Sequence, residues 1–288
     1  MSVRFSIVTI CYNAAKDLPV TVESVLAQDL CDYEYIIQDG GSSDGTKELI
    51  GTYKERFLAK GIRLVFNSGP DKGIYDAMNR GAACAEGSYI NFMNAGDCFY
   101  SGNVLKKVSD AMDLFSQKSG GTVPVIVYGD CAVFEYGRFY SFPKSLENIE
   151  ENMPFSHQSV FAQREFVQEH PFKLEYRYSA DYDFLLTAHD QGALFLDSDN
   201  IICITTADGF SSINYHDTLM ESAQILKEHG KFHHTDRELS RRERSLKIRQ
   251  FVLDHFPLWV KKFIRGYQIK KRGQNMEVKV PKWFEDMV

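Results

Sequence analysis

Three short stretches of the sequence set carboxylates where a ligand could meet them. In YINFMNAGDCFY, residues 89–100, an apolar run passes through a bendable Ala95 and Gly96 straight into Asp97. The carboxyl edge of a sheet is where open α/β folds hold ligands. Magnesium and manganese seek hard oxygens there, commonly taking one or two protein carboxylates and completing their shell with phosphates and water. Asp97 suits that work; the plainer alternative is a cap for a helix beginning near Ser101. In QDGGSSDGT, Asp39 ends a strand before two glycines. An ionised carboxylate is acceptor-only and fit to receive a nucleobase's hydrogen bonds, while Ser42, Ser43 and Asp44 read equally as turn and cap residues. In SADYDFLLTAHDQG, Asp181 opens a helix whose dipole and backbone donors favour its ionised form. That position serves a general base, or a simple N-cap. Asp183, two residues on, faces elsewhere on such a helix. His157, in MPFSHQSVF, is either an acceptor-side group or a satisfied structural histidine.

The elements that must position these groups follow from periodicity. RFSIVTI, YEYIIQ, IRLVFN and YINFMN are strand-like runs. Between the first two, Leu18, Val22, Val25 and Leu26 recur at helical spacing, and SDGTKELIGTYKERF and IYDAMNRGAACA supply two more helices. Strand and helix in alternation predict a parallel sheet with crossover helices. Every strand ends in polar residues: Tyr12 and Asn13, Asp39 to Asp44, Asn67 to Asp71, and Asn94 to Asp97. Four such loops at one sheet edge converge on one crevice. Beyond residue 120 the pattern changes to short β-rich pieces, with helices expected from Asp181 to Gln191 and from Thr218 to Gly230. This is the second half of the same domain with a less parallel sheet. The division is 1–240, comprising halves 1–97 and 98–240, followed by a distinct extension at 241–288.

Charge marks that extension. The chain of 288 residues carries −6 overall, yet residues 1–240 hold 20 Lys and Arg against 34 Asp and Glu, and the remainder holds 13 against 5. An acidic main body argues against a nucleic-acid partner, because phosphate backbones require positive footprints. Within 241–273, eleven basic residues are interleaved with Phe256, Trp259, Phe263 and other apolar side chains. That mixture suits a helix lying on an anionic membrane or one docking on the main domain or on a second copy of the chain as a homodimer. Six scattered cysteines without metal or disulfide spacing fit a reducing cytoplasm. The N-terminal apolar run is too short for a signal peptide, and no stretch approaches a membrane span. Neither GxGxxG nor GxxxxGK[ST] occurs, so a nucleotide would be held another way.

FSIVTICYN, QDGGSSDGT, SGPDKGIYDAMNRGAACAEGSYINFMNAGD and SADYDFLL, in that order and spacing, resemble the family 2 glycosyltransferases. The DKGIYDAMNRG version is similar to a subgroup of bacterial polysaccharide gene clusters. The resemblance spans about residues 3–215. It implies an α/β chain of GT-A fold, a mostly parallel sheet flanked by helices, and inverting transfer from a nucleoside-diphosphate sugar to a saccharide or lipid-linked hydroxyl. It further implies that Thr9 and Tyr12 line the base pocket, that Asp39 binds the base, and that Asp71 and Asn79 serve the ribose and diphosphate. Asp97 matches the metal-binding end of the DxD signature, for Mn2+ or Mg2+, and Asp181 matches the base. His157 and Asp183 fall on the acceptor side, and His216 with Asp217 on a loop over the donor. Two positions depart from the pattern. Asn94 replaces the first carboxylate, keeping the ability to bond a sugar or ribose hydroxyl, and Met78 stands where an arginine is common, leaving Lys72 or Arg80 as substitutes. Rival readings are a nucleotidyltransferase, although CYNAAKD lacks the expected glycine-rich basic loop, and a non-catalytic nucleotide-sugar-binding module.

Overall fold

The computed structural model describes residues 3–135, 138–141, 146–206, 214–233 and individual positions between 240 and 263. Strands β1 (Phe5–Cys11), β2 (Tyr33–Asp39), β3 (Leu64–Ser68) and β4 (Tyr89–Phe92) pair in parallel in the order β3-β2-β1-β4. β1 and β2 are buried along their whole length, as strands covered on both faces must be. Crossovers run through α1 (Leu18–Leu26), α2 (Thr46–Ala59) and α3 (Ile74–Ala83).

The second half is mixed, as its sequence pattern predicts. β5 (Cys98–Phe99) and β9 (Phe195–Thr206) pair antiparallel, β6 (Ile126–Glu135) runs parallel to β9, and β8 (Val160–Gln163) joins β6 to β4 antiparallel. β7 (Arg138–Ser141) folds back on β6. Helices α4 (Val104–Lys118), α5 (Arg164–Glu169), α6 (Ala180–Asp190) and α7 (Tyr215–Glu228) and the 3-10 turns Leu146–Asn148 and His157–Ser159 accompany these strands. α6 and α7 start one and three residues earlier than their periodicity suggests. Asp97 caps no helix, because the chain first adds β5 to the sheet and α4 begins only at Val104.

Two cores sandwich the sheet. On one face Phe5, Ile7, Tyr33, Tyr35 and Ile37 pack against α1, α2 and α4. On the other, Val8, Ile36, Ile90 and Phe92 meet α3, α5, α6 and α7. Fixing helices on both faces leaves the carboxyl ends of β1 to β4 as the open edge, which is where the polar loops lie.

Candidate active site

The turn after β4 is built around one buried threonine. Thr21 of α1 donates to the Asp97 carbonyl at 2.7 Å and accepts from the Gly96 N–H at 2.9 Å. Gly96 has φ +97, the left-handed region that glycine enters without a Cβ penalty. So held, the turn presents the Asp97 carboxylate to the 3-10 turn His157–Ser159, where Gln158 Nε2 donates to Asp97 Oδ2 at 2.7 Å. The Ser156 hydroxyl donates to the Gln158 amide oxygen, which fixes the amide nitrogen toward Asp97. Burial pushes the Asp97 carboxyl up to about 6, against the opposing effects of that hydrogen bond and of His157. One donor is too little for a sequestered charge, and an oxygen-seeking cation would supply what is lacking. The residue present therefore fits a divalent metal.

His157 reaches the other way. Its Nδ1 lies 3.0 Å from Asp181 Oδ2, and its Nε2 lies 3.0 Å from the amide nitrogen of Asn94. Asp181, in the first turn of α6, also accepts from the Tyr75 hydroxyl at 3.1 Å and the Tyr182 N–H at 3.0 Å, both on Oδ1. Burial, then the adjacent Asp181 charge, raise the Tyr75 phenol well above its ordinary value, so it remains a donor. Asn94 Oδ1 is buried and has no hydrogen-bond partner among the described residues, which leaves it available to a donor group. Beside this chain lies a small apolar cavity lined by Ile90, Phe92, Val160, Phe172, Phe184 and Leu185, which His157 and Asp181 close on the polar side.

At the β1 and β2 ends, Tyr12 is 67% exposed at the mouth of the crevice. Gly40 stands beside it; a Cβ there would approach Asp71 Oδ2 to 2.7 Å and the Tyr12 ring to 3.3 Å. Asp71 Oδ1 accepts from the Gly73 N–H at 2.9 Å. Tyr12, Gly40 and Asp71 thus lie together at this edge of the sheet.

Other expected residues are placed differently. Thr9 is fully buried, donating to the Met93 carbonyl at 2.7 Å and accepting from the Tyr35 hydroxyl at 2.9 Å. Its hydroxyl ties β1 to β4 from inside, so it lines no pocket. Asp39 is also fully buried, its oxygens accepting from Gly41 N–H, Ser42 N–H, the Ser42 hydroxyl and, at 2.6 Å, the Ser68 hydroxyl. Burial works to raise its carboxyl, yet those hydrogen bonds outweigh it and hold the group below its ordinary value. As it stands, Asp39 organises the loop, and a nucleobase would have to replace one of these donors. Asn79 does not face the crevice, because its amide clamps both backbone groups of Phe172 at 2.8 and 2.9 Å. Asp183 points away from His157, pairing with Lys173 at 2.9 Å and His229 at 3.0 Å, which removes it from the acceptor side. His216 bonds Asp217 and Glu243; residues 207–213 of the expected donor-covering loop lie outside the described residues. Met78 is a fully buried core residue and Arg80 is paired with Asp76 and the Pro70 carbonyl, leaving Lys72 exposed.

Sequence reasoning missed Gln158, Tyr75 and Thr21. Gln158 adjoins His157 and Tyr75 lies inside DKGIYDAMNRG, so both were visible as polar groups without any sign of what they would face. Thr21 sits among Leu18, Val22 and Val25, and a lone hydroxyl on an apolar stripe was its only signal.

Residues 6–171 match the model of glycosyl transferase family 2. The chain belongs to that family. A PGL/p-HBAD biosynthesis glycosyltransferase of Mycobacterium tuberculosis is 31% identical over 195 residues, 66% of this chain and 71% of the relative. An uncharacterised glycosyltransferase of the same organism is 26% identical over 225 residues, covering 73% and 77%. Among solved structures, Staphylococcus aureus TarS 1–349 aligns with a TM-score of 0.60 at 17% identity. That match covers 77% of this chain, which spans 64% of TarS 1–349. The Pyrobaculum calidifontis mannosyltransferase PcManGT, solved with GDP-Man and Mn2+, aligns at 0.57 and 16% identity, covering 78% and 62%. These structures share the GT-A fold with the chain. As a family 2 glycosyltransferase it is a sugar-transferring enzyme.

Proposed function

We propose that this glycosyltransferase moves a sugar from a nucleoside-diphosphate donor to a saccharide or lipid-linked hydroxyl with inversion. The observation that carries the reading is the short turn His157–Ser159. Through Gln158 it touches Asp97, and through His157 it touches Asp181, so a cation-binding carboxylate and a carboxylate fit to be a base share one crevice. The donor enters at the carboxyl edge, with Tyr12 and Asp71 on its nucleoside side and Asn94 Oδ1 free to accept from a hydroxyl. Asp97 would hold Mn2+ or Mg2+, which when bound supplies Lewis-acid stabilisation of charge on the diphosphate. In the transfer, the acceptor oxygen forms a bond to the anomeric carbon as the carbon–oxygen bond to the diphosphate breaks. Asp181 takes the hydroxyl proton, and Tyr75 and the Tyr182 N–H keep its carboxylate oriented while it does so.

The donor-binding neighbours support this assignment: TarS has been solved with UDP-GlcNAc and PcManGT with GDP-Man and Mn2+. A panel of UDP-glucose, UDP-GlcNAc and GDP-mannose, assayed for nucleotide release with manganese, magnesium or chelator, tests the reading. Metal-dependent release from one donor is expected. Release from none, or release indifferent to chelator, would contradict it.

The extension adds a membrane-facing element. Ile248, Phe251, Phe256 and Phe263 are exposed among basic positions including Arg241, Arg244 and Lys247, while Trp259 and much of 241–273 lie outside the described residues. Basic residues near an anionic surface contribute about 1 kcal/mol each. Co-sedimentation with phosphatidylserine vesicles that weakens with salt is expected; no sedimentation at low salt would remove this element.

A further inference from the structure

We propose that His157 is a positioning residue, orienting the Asp181 carboxylate and tying it to the turn that carries Asn94 and Asp97. The inference rests on the assignment of Asp181 as base and names how that base is aimed.

Its tautomer follows from its neighbours. The Asn94 amide nitrogen can only donate, so Nε2 accepts and the ring proton lies on Nδ1, pointing at Asp181 Oδ2. The carboxylate is then gripped on both oxygens: Tyr75 and the Tyr182 N–H hold Oδ1, and His157 holds Oδ2. Without the ring, Oδ2 would be released and the carboxylate plane free to rotate.

The ring can position because its own turn is pinned. Asn91 of β4 donates through one amide nitrogen to the carbonyls of Gln158 at 2.9 Å and Val160 at 2.8 Å. Ser159 closes the turn on the Ser156 carbonyl through its N–H and its hydroxyl. Three residues of one segment, Asn91, Asn94 and Asp97, thus meet three successive features of the turn: its backbone, His157 and Gln158. An imidazole therefore joins, by hydrogen bonds, the segment proposed to receive the donor and the helix proposed to carry the base.

Two substitutions separate the ring's two contacts. His157→Asn sets an amide near the Nδ1 position and keeps a donor for Asp181; His157→Gln reaches toward the Nε2 position and keeps only the Asn94 side. Each is compared with His157→Ala and Asp181→Asn in the full chain, following nucleotide release from UDP-glucose, UDP-GlcNAc and GDP-mannose and the affinity for UDP with manganese. Release is expected to fall by about 10² in His157→Ala and His157→Gln, the size of a misplaced reacting group, and by less than about tenfold in His157→Asn. UDP affinity is expected to stay within about threefold throughout, within the loss of one weak contact. Equal losses in the Asn and Gln variants, or UDP affinity falling in step with release, would make the ring merely structural. Normal release in His157→Ala beside an inactive Asp181→Asn would overturn the positioning role and leave the base standing. An active Asp181→Asn would remove the base itself. Long-range nitrogen–proton spectra of the free, histidine-labelled protein, with His157→Gln to assign the signal, read the ring independently of turnover: a single proton on Nδ1 is expected, and an imidazolium or an Nε2 proton contradicts the arrangement.

Discussion

Asp39 at the end of β2 and Asp97 in the turn after β4 lie at one edge of the sheet, and they have opposite surroundings. Asp39 at the end of β2 receives four donors from Gly41, Ser42 and Ser68, and its carboxyl lies below the ordinary value despite burial. Asp97 after β4 has one side-chain donor among the described residues, Gln158, and burial lifts it to about 6. The first is a finished structure that shapes a loop. The second is a carboxyl that burial raises and that one amide donor meets, and that difference is why we propose Asp97 and not Asp39 as the cation ligand. Asp181 is the intermediate case, with three donors and 15% of its side chain still exposed.

The largest effect that sharpens this contrast should come from the intermediate case. Asp181→Asn keeps the shape but removes the proton acceptor, and turnover should drop about 10²- to 10⁴-fold, with UDP affinity measured by calorimetry unchanged. Next, Asp97→Asn should abolish the gain in UDP affinity that manganese provides. In the wild type that gain should itself weaken below pH 6, about tenfold per unit, because the cation competes with the proton. The sign for stability is the reverse. With its native value raised, the cation-free chain holds more protons than the unfolded chain between about pH 4 and 6. Asp97 should therefore contribute a loss of metal-free stability as pH rises through that window, opposite in sign to the contribution of carboxyls held low such as Glu34 and Asp39, and the difference between wild-type and Asp97→Asn urea melts isolates it.

A smaller effect is expected at the saturated carboxylate. Asp39→Ala leaves the Ser42 and Gly41 N–H groups unpaired, at about 1–3 kcal/mol for a buried donor, seen as a lower urea midpoint. A midpoint equal to the wild type would break the comparison. Of similar size, Thr9→Val leaves the buried Tyr35 hydroxyl and Met93 carbonyl without their partner and should cost about 1–3 kcal/mol in the same melts, leaving UDP affinity untouched.

The first half of the fold was legible because each fully buried strand and each amphipathic helix carries its own period, and the polar ends of the strands announced a common edge. Legibility failed where side-chain direction decides. Thr9 and Asp39 belong to matching motifs, yet β1 sends the Thr9 hydroxyl inward to Met93, and the QDGGSS turn wraps its own aspartate. Asp183 is two residues from Asp181, and the 200° this spans on a helix sent it to Lys173 and His229 instead. His157 and Gln158 could be found as polar residues, but their partners lie 24 to 63 residues away in sequence, across strand pairings that no local pattern encodes.

The central claim is that Asp97 holds the cation that meets the donor's diphosphate. Crystals grown with UDP and manganese, measured at the manganese absorption edge, test it most directly. An anomalous peak is expected within coordinating distance of an Asp97 oxygen, with Gln158 displaced from it and the ion shared with diphosphate oxygens. Bound UDP with the peak elsewhere, or with Asp97 still bonded to Gln158 and no ion beside it, would contradict the account.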